Sequence, residues 1–131
     1  MTQRMSLAPM LSVRRGAEAV NFYRQALGAE VLFRVDDDSG AVVAHLSVHG
    51  AEFWIADESP EYMNFSPESL RGSTVRLILT VDAPHAVVAD AIRAGAKEIS
   101  AVSEQNGWLV GRIADPFGHH WEIGKPMSQE R

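Results

Sequence analysis

Ile113-Ala-Asp-Pro-Phe-Gly-His-His-Trp-Glu-Ile-Gly124 reads as strand, tight turn, strand. Asp115-Pro116-Phe117-Gly118 suits a type I turn: Asp at the first position, Pro at the second with its φ already set, Gly at the fourth. Beyond the turn, His119, Trp121 and Ile123 point to one face of a strand, and His120 and Glu122 to the other. Glu122 is then a carboxylate in mid-strand with an apolar face behind it. Such a group needs a partner, a metal or water. A solvated carboxylate on the wet face of a two-faced sheet satisfies the same pattern.

Working outward from this stretch, Trp108 to Ala114 is a strand, Glu104 to Gly107 a turn, and Lys97 to Val102 a strand. A helix over Ala86 to Ala94 precedes them, with Asp82 as N-cap, Pro84 in its first turn and Gly95 closing it. Thr74 to Val81 is a further strand. The first half of the chain repeats this order. Leu7 to Val13 is a strand with Pro9 near its start. Gly16 to Leu27 is a helix whose stripe runs Ala17, Val20, Tyr23 or Arg24, Leu27, with Phe22 beside it and Gly28 at its end. Glu30 to Val35, Val42 to Val48 and Glu52 to Ala56 are strands, the last two joined by a turn at His49-Gly50. Ala19-Val20 and Gly28-Ala29 recur as Ala86-Val87 and Gly95-Ala96 at an offset of 67, and Phe53-Trp54-Ile55 recurs as Trp121-Glu122-Ile123 at 68. The chain is therefore expected to be one α+β domain (1–131). Repeat one spans about 7–57, a connection 58–72 and repeat two about 73–125. The two β-α-β-β-β repeats form a curved, mostly antiparallel sheet around a cleft, with the helices on the outside. The connection has no clear period, yet Tyr62, Met63 and Phe65 make it too apolar for a plain linker, so it suits a lid or a dimer contact.

Composition narrows the function. The 131 residues are 46% hydrophobic and 22% charged, ordinary values for a globular chain. A net charge of −5 without a basic run argues against nucleic acid. There is no cysteine, which removes disulfides, thiolate metal sites and a Cys nucleophile. No apolar run is long enough to span a bilayer, and the N-terminus lacks the apolar core of a signal peptide, so the expectation is a cytoplasmic protein without a membrane partner. The tail from Pro126 to Arg131 is expected to fray.

Residues 9–29, which include Pro9-Met-Leu-Ser-Val13 and Ala19-Val-Asn-Phe-Tyr-Arg-Gln-Ala-Leu-Gly-Ala29, together with Arg93-Ala-Gly-Ala96 and Asp115-Pro-Phe-Gly-His119, resemble the vicinal oxygen chelate superfamily. That group includes glyoxalase I, extradiol dioxygenases, fosfomycin resistance enzymes and bleomycin-binding proteins. The resemblance covers about residues 7–125. It implies four metal-ligand positions, which fall here on Ala8, Trp54, Arg76 and Glu122. Glu122 alone is a ligand. Ala and Trp cannot ligate, and Arg stays protonated and repels a cation. A divalent ion needs several good donors in a set geometry, so no metal and no other cofactor is expected. The resemblance further implies a homodimer, with each cleft built within one chain or from repeats of two.

Sheet parity assigns the cleft face to Ala8, Met10, Ser12, His45, Ser47 and Trp54 in repeat one. In repeat two it assigns Arg76, Ile78, Thr80, Trp108, Val110, Arg112, His120 and Glu122. The opposite parity (Leu11, Val13, Leu46, Val48, Phe53, Ile55, Val75, Leu77, Leu79, Ile113, Trp121, Ile123) is apolar throughout and should face the helices. Arg76 is expected to pair with Glu122 where a cation would sit, with Arg112 adding to it and leaving donors for an acid group. Trp54 and Trp108 offer flat walls. The ligand-binding candidates are thus Trp54, Arg76, Trp108, Arg112, His120, Glu122 and His45. Glu122, His45 and His120 are the candidates for acid–base catalysis. His45, His120 and Glu122 as a metal set is the weaker alternative. The leading reading is a metal-free protein that binds a planar or anionic small molecule. The alternatives are a glyoxalase-like lyase, isomerase or dioxygenase-type enzyme with a non-standard site, and a structural or regulatory module.

Overall fold

The computed structural model describes residues 3–127, so residues 128–131 of the tail lie outside the described residues. The chain runs β1 (Met10–Val13), α1 (Gly16–Leu27), β2 (Glu30–Asp36), β3 (Val42–Val48) and β4 (Ala51–Asp57) in the first repeat. The second repeat runs β5 (Arg76–Thr80), α3 (Pro84–Ala94), β6 (Lys97–Gln105), β7 (Trp108–Ala114) and β8 (His120–Pro126), with a short α2 (Pro67–Leu70) between the two. Each repeat makes its own open four-stranded sheet, in the order β1-β4-β3-β2 and β5-β8-β7-β6. In each, the first strand joins the fourth in parallel and the other pairings are antiparallel. Met10 pairs with Trp54 and Ile78 with Glu122, which preserves the offset of 68 in the ladder itself.

Local chemistry explains where the elements differ from expectation. β1 begins at Met10 rather than Leu7, because Pro9 has no N–H for the ladder; it contributes only its carbonyl, to Trp54 N at 2.8 Å. β5 begins at Arg76, so Val75, expected on the apolar back, precedes the strand and is exposed. The N-cap of α3 is Ala83, not Asp82, and no side chain caps it: Pro84 occupies the first helical position, where no N–H is needed. β6 continues to Gln105 because the two-residue Asn106-Gly107 turn has φ of 50° and 84°, a geometry that matches strand twist and keeps both flanking residues in the ladder. On α1, Ala19, Val20, Phe22, Tyr23, Ala26 and Leu27 are buried, while Ala17 and Arg24 stay outside. Gly28 ends the helix at φ 70°. Gly16 opens it against Asp57, whose carboxylate accepts from Gly16 N at 3.2 Å and Val42 N at 2.7 Å; a Cβ at Gly16 would collide with that carboxylate.

The connection is ordered by polar contacts at its base. Glu58 accepts from Ser66 N (2.8 Å) and Ser69 Oγ (2.9 Å) and lies 3.5 Å from Arg14 Nε. These groups, Ser66 N–H first, hold the Glu58 carboxyl below its ordinary range. Ser66 and Pro67 are buried, whereas Tyr62 and Met63 are 76% and 79% exposed. The base therefore anchors the loop, and its apolar tip stays in solvent. Among the described residues no helix is long and apolar enough to cross a membrane.

One core joins the repeats. Leu11, Val13, Leu46, Phe53 and Ile55 from the first sheet and Leu79, Ile113, Trp121 and Ile123 from the second are buried, as parity requires. α1 and α3 pack against each other behind the sheets. Phe53 and Trp121 touch edge to face, 5.4 Å between ring centroids, so the apolar backs of the two sheets meet. The polar faces consequently look away from the shared core and do not face each other within one chain.

The motif quoted at the outset fastens this core. The turn closes with Gly118 N donating to Asp115 O at 3.0 Å. The buried Asp115 carboxylate accepts from Phe117 N and His119 N, both at 3.0 Å, from Trp121 Nε1 at 2.9 Å and from Tyr23 Oη at 2.5 Å. His119 Nε2 sits 2.9 Å from Ser12 O, and Phe22 meets the Phe117 ring at 6.1 Å. The Phe22-Tyr23 pair and the Asp115–His119 turn, which lie in two of the three stretches that carry the family resemblance, thus bind each other.

Burial, followed by the Asp115 charge, raises the Tyr23 hydroxyl well above its ordinary value of 10.0. A raised acid stabilises the fold fully below the unfolded value and loses that contribution as pH climbs past it. Stability is therefore expected to fall above about pH 10, by about 1.4 kcal/mol per pH unit for one proton. Urea midpoints at pH 8 and pH 10.5 check this. The alkaline loss should shrink in Tyr23→Phe, and an equal loss in both proteins would remove Tyr23 as its source.

Candidate functional site

The register of β5, β8 and β7 builds a polar face on the second sheet. Arg76 pairs with His120, Ile78 with Glu122, and Glu122 in turn with Arg112 across β7. Paired residues share a face, so parity brings Arg76, Arg112, His120 and Glu122 together with Ile78, Val110 and Trp108. Both guanidinium groups reach the same oxygen: Arg76 Nε lies 2.7 Å and Arg112 Nη2 3.0 Å from Glu122 Oε2. The expected Arg76–Glu122 pair is present, and Arg112 completes a triad. Arg76 uses its inner nitrogen and is 59% exposed at the side chain, so the outer edge of its fork faces solvent. His120 Nδ1 is buried and has no hydrogen-bond partner among the described residues. Beside the triad lies a hollow of about 380 Å³ lined by Ile78, Trp108, Val110 and Gly124, with Glu122 at its edge and Gln105 and Asn106 at its rim.

The outer face of the first sheet has a different chemistry. The His45 ring lies flat on Trp54, with centroids 4.3 Å apart and planes 2° from parallel, and Phe33 leans on Trp54 at 6.1 Å. His45 Nε2 is 2.9 Å from Glu52 Oε1. The seven candidate residues therefore divide into two groups. Arg76, Trp108, Arg112, His120 and Glu122 are together on one sheet, and His45 and Trp54 are together on the other. The expected metal alternative of His45 with His120 and Glu122 is not assembled, because the two faces point apart.

Sequence reasoning missed Phe33 and Glu52. Glu52 was within reach of parity, since it stands two residues from Trp54. Phe33 was hidden by a bulge between Val31 and Phe33 that breaks the alternation of β2. It also took Asp115 only as a turn former; the acceptor capacity of an Asp set between two aromatic-rich segments was the available signal.

Both faces are open. Met10, Phe33 and Val35 on the first are about half exposed, Ile78 on the second is 68% exposed, and Trp108 is 37% exposed.

The sequence profile described as a glyoxalase-like domain matches residues 10–124. The chain belongs to this family. An uncharacterized protein of Mycobacterium tuberculosis is 36% identical over 129 residues, covering 95% of this chain and 76% of its own length. The crystal structure of an Arabidopsis thaliana gene product shares the fold at a TM-score of 0.69 and 27% identity, covering 94% of this chain and 98% of that one. The fosfomycin resistance protein FosX of Listeria monocytogenes, solved with manganese(II) and sulfate, superposes with a TM-score of 0.71 at 11% identity, over 97% of this chain and 95% of its own. At that identity the likeness establishes fold alone. The glyoxalase-like family match, together with the repeat architecture, places the chain in the vicinal oxygen chelate superfamily.

The residues that fall at the four metal positions implied by the resemblance do not fit a divalent ion. Ala8 lies just ahead of β1 and has no donor atom. Trp54 is stacked under His45. Arg76 places a cation against the one carboxylate, Glu122. Among the described residues no three His, Cys, Asp or Glu side chains come together as a metal site.

Proposed function

We propose that this chain is a metal-free small-molecule-binding member of the glyoxalase-like family. It works as a homodimer in which the Arg76–Arg112–Glu122 face of one copy closes against the Trp54 face of a second. One observation carries the reading. The position from which a metal would be held is taken by two guanidinium groups converging on one carboxylate oxygen, with unused donors facing outward. A fixed cationic pair can recognise an acid group directly, as a metal would, without supplying Lewis acidity. The aromatic plate of Phe33, Trp54 and His45 adds a flat apolar wall for a planar ligand.

Elemental analysis of the purified protein, before and after incubation with excess zinc, nickel and manganese, tests the metal-free reading. Less than a tenth of an equivalent per chain is expected in each case, on the order of the trace that adventitious surface binding leaves. One tightly held ion per chain would overturn it. A second reading, a glyoxalase-like lyase, rests on His120, whose Nδ1 has no hydrogen-bond partner among the described residues and which shares its sheet face with Glu122. His45, the other candidate base, joins that centre only across two copies.

A further inference from the structure

The triad and its hollow go further than a general preference for anions. This inference rests on the small-molecule reading above and concerns the second sheet alone. Two guanidinium groups and one carboxylate leave one positive charge uncompensated. Both contacts to Glu122 fall on Oε2, so the remaining carboxylate charge stays at the site and faces whatever binds the arginines. A ligand with one negative charge brings the cluster to neutrality. A ligand with two leaves net negative charge beside the Glu122 carboxylate, which repels the second charge.

The neighbouring hollow specifies the rest of the molecule. Trp108 forms one wall, Ile78 and Val110 the apolar floor, and Gly124 leaves the strand bare between them. A side chain cannot enter at Gly124, because even a Cβ would lie 2.6 Å from Leu109 O and 2.9 Å from Val110 Cβ. The trough is thus flat by construction. At about 380 Å³ it is near the small end of ligand pockets, enough for one or two fused rings.

We infer that the second-sheet site selects planar aromatic monocarboxylates: the ring lies in the hollow along Ile78, Val110 and Trp108, and the carboxylate reaches past Glu122 to the outer edge of Arg76. Isothermal titration of the full chain with three ring-matched probes tests this: 2-naphthoate, neutral 2-naphthamide and 2-naphthyl phosphate, which is largely dianionic at pH 7.5. 2-Naphthoate is expected to bind at least about tenfold tighter than either of the others, a difference of about 1.4 kcal/mol. Arg76→Gln should abolish that preference, weakening 2-naphthoate at least about tenfold more than 2-naphthamide. Arg76→Lys, which keeps the charge without the planar fork, should restore only part of it. Trp108→Leu should weaken all three probes alike. Arg76 is exposed enough that its variants should fold, and melting temperatures within about 2 °C of the parent verify it.

Equal binding of 2-naphthamide and 2-naphthoate would overturn acid recognition and leave the small-molecule reading standing. Tighter binding of the phosphate would overturn the charge rule. No measurable binding of any probe would overturn the inference as a whole, while the metal analysis and the oligomeric state would still decide the broader reading.

Discussion

Asp115→Ala is expected to lower the unfolding free energy by about 3–5 kcal/mol, enough to leave much of the protein unfolded at 37 °C. The loss comes from donors rather than from the carboxylate itself. Tyr23 Oη and Trp121 Nε1 both end on Asp115 in a dry interior, and each costs about 1–3 kcal/mol when left unsatisfied. Phe117 N and His119 N lose their acceptor as well, so the turn that launches β8 loosens. Since β8 carries His120 and Glu122, the candidate site should lose definition with the fold. Tyr23→Phe removes one donor and keeps the ring contacts with Phe53 and Trp121, so its cost should stay near 1–2 kcal/mol. Urea unfolding of the three proteins measures both. An Asp115→Ala protein within 1 kcal/mol of the parent, on the order of a single net hydrogen bond, would show that the staple is dispensable.

The second large effect concerns self-association. Apolar side chains exposed on the outer faces of a sheet are candidates for burial in an interface. Here Met10, Phe33, Val35 and Val43 lie exposed on one sheet face and Ile78 and Trp108 on the other. In a two-fold dimer the same surfaces are used by both copies. Apposing the first-sheet face of one chain to the second-sheet face of the other makes two equivalent clefts and covers both patches. The parent protein is expected to sediment as a dimer at micromolar concentration. Phe33→Asp and Met10→Asp, both on the first-sheet face and outside the second-sheet hollow, should each raise the dissociation constant about 100-fold, or about 2.7 kcal/mol, because a charge would be stranded in an apolar contact. Both side chains are at least half exposed in the single chain, so each monomer should keep its melting temperature. A monomeric parent, or a dimer indifferent to both substitutions, would remove the shared cleft.

Much of the fold was legible because its signals are local. An offset of 68 between Phe53-Trp54-Ile55 and Trp121-Glu122-Ile123 is a property of the string, and the ladders keep it. Alternation assigned Leu11, Val13, Phe53, Ile113, Trp121 and Ile123 to the core, where they are buried. The errors arose where a local rule had a competitor. Pro84 took the helix start that Asp82 was expected to cap. A bulge in β2 concealed Phe33. Val75, apolar and of the right parity, lay one residue before its strand began.

By itself, then, the sequence determined the repeat, the two-faced strands and the grouping of Arg76, Arg112 and Glu122 on one face. Those facts depend on a period of two and on residues close along the chain or in matching repeats. The tertiary structure alone decided which faces see each other. That choice follows from α1 packing Tyr23 between Phe53 and Trp121 and ending on Asp115, contacts between residues far apart in the chain. Joining the apolar backs in this way turns both polar faces outward. No alternation pattern encodes that orientation, because it is a property of packing between sheets rather than of either sheet.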